Sequence, residues 1–130
     1  MKRLFIVIFF FAALISCDKK NEHTSLMGSW TCDEWPEVSS PSTYQVSIRR
    51  NGALKDTNQY LISNFRQLGL DPQYEVSFYV SEPGKLIINQ QTVGNIYVSG
   101  TGTYEPDYSK IEWEYTVNGN IIESFKATYY

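Results

Sequence analysis

The sequence predicts an all-β domain: eight antiparallel strands joined in an up-and-down meander and closed into a barrel. Three observations carry this reading. Apolar and polar residues alternate through segments such as 44–49 and 111–117, and a period of two gives a strand one apolar and one wet face. Turn pairs recur between such segments, at Asn51-Gly52, Pro83-Gly84, Gly94-Asn95, Pro106-Asp107 and Asn118-Gly119. Gly and Asn accept positive φ there, and Pro presets φ for a turn. The segments themselves are rich in Val, Ile, Thr, Tyr and Phe, the residues that suit a pleated, half-buried surface.

The elements follow in order. Residues 1–16 read as an export signal. Lys2 and Arg3 supply positive charge, and Leu4 to Ile15 is an unbroken apolar run. A helix crossing a bilayer needs about 20 such residues, whereas the apolar part of a secretory signal runs about 7–15. Residues 18–25, DKKNEHTS, are polar and without periodicity, and read as a flexible tether. The domain then occupies residues 26–130. Its strands are expected at 27–34, 43–50, 59–64, 74–81, 85–91, 95–104, 110–117 and 121–129, with a loop at 36–42. In the second, Tyr44, Val46 and Ile48 share a face; in the fourth, Val76, Phe78 and Val80; in the seventh, Ile111, Trp113, Tyr115 and Val117. Residues 61–69 admit two readings. Leu61, Phe65 and Leu68 are spaced as on a helix, with Gly69 as its stop. Alternatively a strand runs to Phe65 and one helical turn follows, which the β-punctuated surroundings favour. Gly100 and Gly102 share one strand face, where glycine permits bending and close packing. Eight strands suffice for a barrel that is filled by side chains or holds one small ligand. Closure removes exposed edges; an open sandwich, the alternative, would have two to protect.

Composition limits the function. From residue 17 onward, nine Lys and Arg face fourteen Asp and Glu, a net charge of −5. There is no basic run, so neither nucleic acid nor an anionic membrane surface is expected as an electrostatic partner. The single histidine, His23, falls in the tether, which leaves no base on a rigid frame for a catalytic triad. No metal-ligand spacing, phosphate-cradling glycine loop or dinucleotide motif is present, so no metal and no cofactor are expected. The chain reads as a non-enzyme without catalytic residues. Asp33, Glu34 and Glu37 read as a solvated loop, and Glu112 and Glu114 as the wet face of a strand. Cys32 reads as a buried, inert thiol.

Aromatic residues are the remaining candidates for contact. Tyr and Trp join an apolar body to a polar tip. Trp35, beside Pro36, is expected at a barrel mouth, with Tyr44, Tyr104 and Tyr115 as further ligand or partner contacts. Tyr79 and Tyr97 are expected to face outward. Trp30, Trp113, Phe78 and Tyr115 are expected in the core.

Two motifs carry resemblances. Leu14-Ile15-Ser16-Cys17 resembles a bacterial lipobox. That resemblance implies cleavage before Cys17 and attachment of lipid to it, and so a cell-envelope location, on the outer rather than the inner membrane. Two or three acyl chains hold a protein firmly, whereas one is marginal. With Cys17 so assigned, Cys32 has no partner for an internal disulfide. Leu26-Met27-Gly28-Ser29-Trp30, the stretch Val98–Tyr104 and the stretch Lys110–Asn118 together resemble the small lipocalin-like, or calycin-like, lipoproteins of Bacteroidota. By that resemblance Gly28 and Trp30 form the barrel floor, and Lys126 is the candidate for a basic residue laid across Trp30, though its parity opposes it to Phe125 and Ala127. The function implied is a non-catalytic, lipid-anchored module that binds a small apolar or amphipathic ligand. The alternative is an accessory lipoprotein with a filled barrel that docks a protein or glycan through loops and surface aromatics.

Overall fold

The computed structural model describes residues 23–52 and 58–130. The expected signal 1–16, the expected lipid site Cys17 and residues 18–22 of the expected tether lie outside the described residues.

The domain is a closed antiparallel barrel in which every strand pairs with its sequence neighbours and β1 pairs with β8. Its strands are β1 Gly28–Pro36, β2 Ser42–Arg50, β3 Gln59–Ser63, β4 Val76–Glu82, β5 Lys85–Val93, β6 Ile96–Tyr104, β7 Ile111–Asn118 and β8 Ile122–Tyr129. Tight connections use glycine at positive φ, as at Gly84 and Gly94, where a side chain would clash with its own backbone. The ambiguous stretch at 61–69 resolves into the end of β3 followed by a short 3-10 turn, Phe65–Gln67. A second such turn, Pro72–Tyr74, delays β4 to Val76. Its Pro opens the turn and Asp71 accepts a hydrogen bond from the Gln73 amide at 3.1 Å, a cap that sets the bend.

β1 closes the barrel. Residues 28–34 pair with β2, and residues 32–36 pair with β8. The strand therefore runs two residues beyond the expected 34, which carries Trp35 and Pro36 into the sheet. Alternation then places Trp30, Cys32 and Glu34 inside, and Trp35 outside.

Side chains from all eight strands fill the interior. Trp30, Ile48, Ile62, Phe78, Leu86, Ile88, Val98, Trp113, Phe125 and Tyr129 are among the buried set. Rings meet inside: Phe78 lies edge-on to Trp113 across the lumen at 5.1 Å, and on the neighbouring strands β7 and β8 Trp113 meets Tyr129 at 5.9 Å and Tyr115 stacks on Phe125 at 5.2 Å. Room for Trp113 and Tyr115 comes from the strand opposite. Gly102 faces Trp113 and Gly100 faces Tyr115. A Cβ on Gly102 would lie 2.5 Å from the Trp113 ring, and one on Gly100 would lie 2.6 Å from the Tyr115 Cβ. Small residues on β6 thus admit large ones on β7.

One ladder is spliced by a side chain. β5 shifts register between Ile88 and Gln91, and the paired positions of β4 and β5 stop at Tyr79. Gln91 bridges the gap. Its amide oxygen accepts from the Ser77 N–H and its amide nitrogen donates to the Ser77 carbonyl, both at 2.8 Å. Those two bonds replace the backbone pairing that the bulge removes.

Candidate functional site

Two regions of the barrel concentrate chemistry: its far end, where β1 finishes and β2 begins, and the outer wall of β6, β7, β8 and the end of β1.

At the far end a carboxylate is sealed inside. Glu34 is only 3% exposed. It accepts hydrogen bonds from the Tyr44 hydroxyl at 2.8 Å and from the Tyr115 hydroxyl. The Arg66 Nε stands 3.5 Å from the Glu34 Oε1, and the Arg66 guanidinium lies 4.0 Å over the Phe125 ring. A buried charge persists when it is both paired and hydrogen-bonded, and Glu34 has both kinds of partner. Arg66 reaches this position because the turn after β3 is forced. Asn64, Arg66 and Gln67 all have positive φ, a region that non-glycine residues rarely enter. The backbone is fastened around them: the Tyr44 hydroxyl accepts from the Arg66 N–H at 3.1 Å, the Asn64 side chain accepts from the Gly69 N–H at 3.1 Å, and the same side chain donates to the Gln45 carbonyl at 2.7 Å.

A second carboxylate holds the neighbouring loop. Glu123, inward on β8, accepts from the Val38 N–H at 3.1 Å, the Ser39 N–H at 2.9 Å and the Ser39 hydroxyl. The Ser39 amide in the first place, then that of Val38, lowers its pKa below the ordinary glutamate value. Burial raises four further groups, one thiol and three phenols. The Cys32 thiol is pushed up to about 12, and the Tyr44, Tyr115 and Tyr129 hydroxyls are held well above the usual tyrosine range. All four stay protonated at neutral pH, so Cys32 is not poised as a nucleophile.

These placements correct several expectations. Glu34 is no solvated loop residue. Tyr44 and Tyr115 do not line a mouth; their hydroxyls are committed to Glu34. Tyr104 lies at the opposite end, half-buried and stacked on Tyr108 at 5.7 Å. Trp35 is on the outer wall rather than at a mouth. Lys126 does not cross Trp30; it points outward, 3.9 Å from Glu114. Arg66 is the cation that covers an aromatic ring, and the ring is Phe125. His23 is part of the fold rather than of a free tether. Its ring stacks on Trp30 at 3.5 Å, nearly parallel, and the Trp30 Nε1 donates to the Leu26 carbonyl at 3.0 Å. Those contacts close the near end around Gly28, whose φ is 127°. Tyr97 is exposed and Tyr79 is half-buried.

The outer wall presents a different surface. Register aligns side chains of the same parity in rows. One row holds Thr101, Glu114, Lys126 and Trp35, and the next holds Ser99, Thr116 and Ser124. Trp35 is 46% exposed. Two open clefts of about 630 Å³ and about 420 Å³ lie on this wall, and both are lined by Trp35, Thr101, Glu114 and Lys126. The indole therefore stands where one trough passes into the other. The sequence had singled out Trp35 but not the hydroxyl rows beside it. Among the described residues, no group of three or more His, Cys, Asp and Glu side chains could hold a metal ion.

No protein-family model matches the chain, and no curated protein matches it. Among solved structures it is similar to a redesigned β-barrel, with 16% identity, a TM-score of 0.53, and coverage of 80% of this chain and 89% of that chain. At that identity the similarity extends to the fold alone.

Proposed function

We propose that this protein is a non-catalytic accessory lipoprotein of the cell envelope, whose filled barrel serves as a rigid post and docks a partner on its outer wall beside Trp35. The observation that carries the reading is the contrast between the two faces of the same strands. Inside, Phe78, Trp113, Tyr115, Phe125 and Tyr129 occupy the lumen in mutual contact. Outside, an exposed indole stands between two open clefts. A ligand entering the barrel would have to displace packed rings and break the hydrogen bonds on Glu34. A ligand on the wall displaces only water. This arrangement favours the accessory, filled-barrel reading over a barrel that binds an apolar ligand within.

The anchor belongs to the same proposal. The lipobox at Leu14–Cys17 and the likeness to small lipocalin-like lipoproteins of Bacteroidota support lipid on Cys17 and a place on the outer membrane. Six residue steps separate Cys17 from His23, a reach of at most about 22 Å at 3.3–3.6 Å per residue. Because His23 is seated on Trp30, such an anchor would hold the near end of the barrel close to the bilayer.

The docking reading is tested in intact cells with a photo-crosslinking residue in place of Thr101, or of Tyr79 on the opposite wall. Adducts from position 101, lost on Trp35→Ala and absent from position 79, are expected. Equal adducts from both walls would overturn the reading. Palmitate labelling of wild type and Cys17→Ala tests the anchor separately; equal uptake would remove it.

A further inference from the structure

We infer that the trough beside Trp35 is a binding site for a neutral oligosaccharide. The inference rests on the docking reading above and names the chemistry of what docks. Its first support is the composition of the wall. Apart from the indole and Lys126, the side chains that reach into the trough are short hydroxyls and carboxylates: Ser99, Thr101, Thr116, Ser124, Glu37 and Glu114. A hexose ring matches this pattern. It has an apolar face of C–H bonds that can lie flat on an indole, and a rim of hydroxyls that both donate and accept. Trp supplies the first kind of contact; carboxylates and hydroxyls supply the second.

Charge narrows the class. Among the described residues that line the trough, the one cation, Lys126, stands 3.9 Å from Glu114, which balances it. Glu37 then leaves the larger cleft with an acidic excess. An anionic chain, such as a uronic acid polymer or a nucleic acid, would meet repulsion without a compensating cation. An apolar peptide or acyl chain would strand the hydroxyl rows without partners, a desolvation cost that nothing offsets.

Shape supplies the third support. The clefts cross β6, β7, β8 and the end of β1, four neighbours whose spacing of about 4.8 Å makes a trough of about 14 Å. Such a length accommodates two or three hexose units in a row, with Trp35 under one of them. The two clefts meeting at Trp35 give the chain room to continue on either side.

The test uses the full mature protein in detergent, titrated by calorimetry with three probes: cellohexaose, maltohexaose and a hexamer of galacturonic acid. Binding of at least one neutral hexamer, with amide NMR shifts confined to Thr101, Glu114, Thr116 and Ser124, is expected. Trp35→Ala should weaken it about tenfold or more, and Trp35→Tyr should retain part of it, because a ring still stacks. Failure of both neutral probes to bind overturns the inference. So does equal binding by Trp35→Ala, or preference for the galacturonate. If the neutral probes fail while the crosslinks from position 101 persist and depend on Trp35, the wall docks a protein. If the crosslinks fail as well, the docking reading falls with the inference.

Discussion

The two ends of this barrel are closed by opposite chemistry. At the near end Trp30 is buried beneath the flat ring of His23, and its one polar atom is bonded to the Leu26 carbonyl. At the far end Glu34 is buried under Arg66, Tyr44 and Tyr115. The first closure is a burial of apolar area, which tolerates small displacements. The second is a set of directional bonds around a charge, which holds only while every partner is present. One barrel thus contains a plug that depends on volume and a plug that depends on geometry.

Substitutions can break that contrast in decreasing order of effect. Trp30→Ala empties the near end and is expected to cost about 3–5 kcal/mol, the range for truncating a buried Trp, read as a fall in denaturation midpoint. A cost under about 1 kcal/mol would show that the near end is not held by burial. Glu34→Ala leaves two tyrosine hydroxyls without their acceptor and a partly buried guanidinium without its counter-ion, for about 2–3 kcal/mol. Adding Arg66→Ala should then cost less than it does in the wild type, and additivity in that double-mutant cycle would deny the pair.

Alkali separates the ends further. The Cys32, Tyr44 and Tyr115 pKa values are raised in the fold, chiefly by burial. Their stabilisation is complete below the unfolded values, near 9 for the thiol and 10 for the phenols. It is lost as pH rises toward the folded values. Stability should therefore fall by about 3 kcal/mol between pH 9 and pH 10.5, and Tyr115→Phe should flatten the slope. A Tm independent of pH over that interval would contradict the burial of these groups. The smallest effect is expected from His23→Ala. Losing one stacked ring costs about 0.5–1.5 kcal/mol, and a larger change in Tm would mean that residues before Leu26 do more than cover Trp30.

How far these ends were legible in the sequence differs for physical reasons. β7 was fully legible: Ile111, Trp113, Tyr115 and Val117 alternate with wet residues, and all four are buried. The same held for Val46 and Ile48, and for Val76 and Phe78. Glu34 was missed because it looked like part of an acidic loop. Its signal was available, since it continues the parity of Trp30 and Cys32, but residue type outweighed position. Arg66 carried no local signal. It meets Glu34 across thirty-two positions through a turn of left-handed residues, and neither propensity nor periodicity encodes such a contact. The trough had a similar fate. Trp35 could be picked out as a large aromatic beside Pro36, whereas the rows of Ser and Thr beside it arise from the register of four strands. The bulge in β5 also lies beyond pattern reading, because Gln91 acts there as a substitute for backbone.

The place of β1 has a mechanical consequence. This strand, which follows directly on His23 and Leu26, is clasped lengthwise by β2 on one side and β8 on the other, and Thr31 exchanges two further bonds with Tyr130. A load applied through the preceding chain pulls along the strand rather than across it. Such a joint fails in shear, with many bonds yielding together, and not by unzipping from one end. A molecule tugged by its leading segment is thereby fitted to keep its shape under drag.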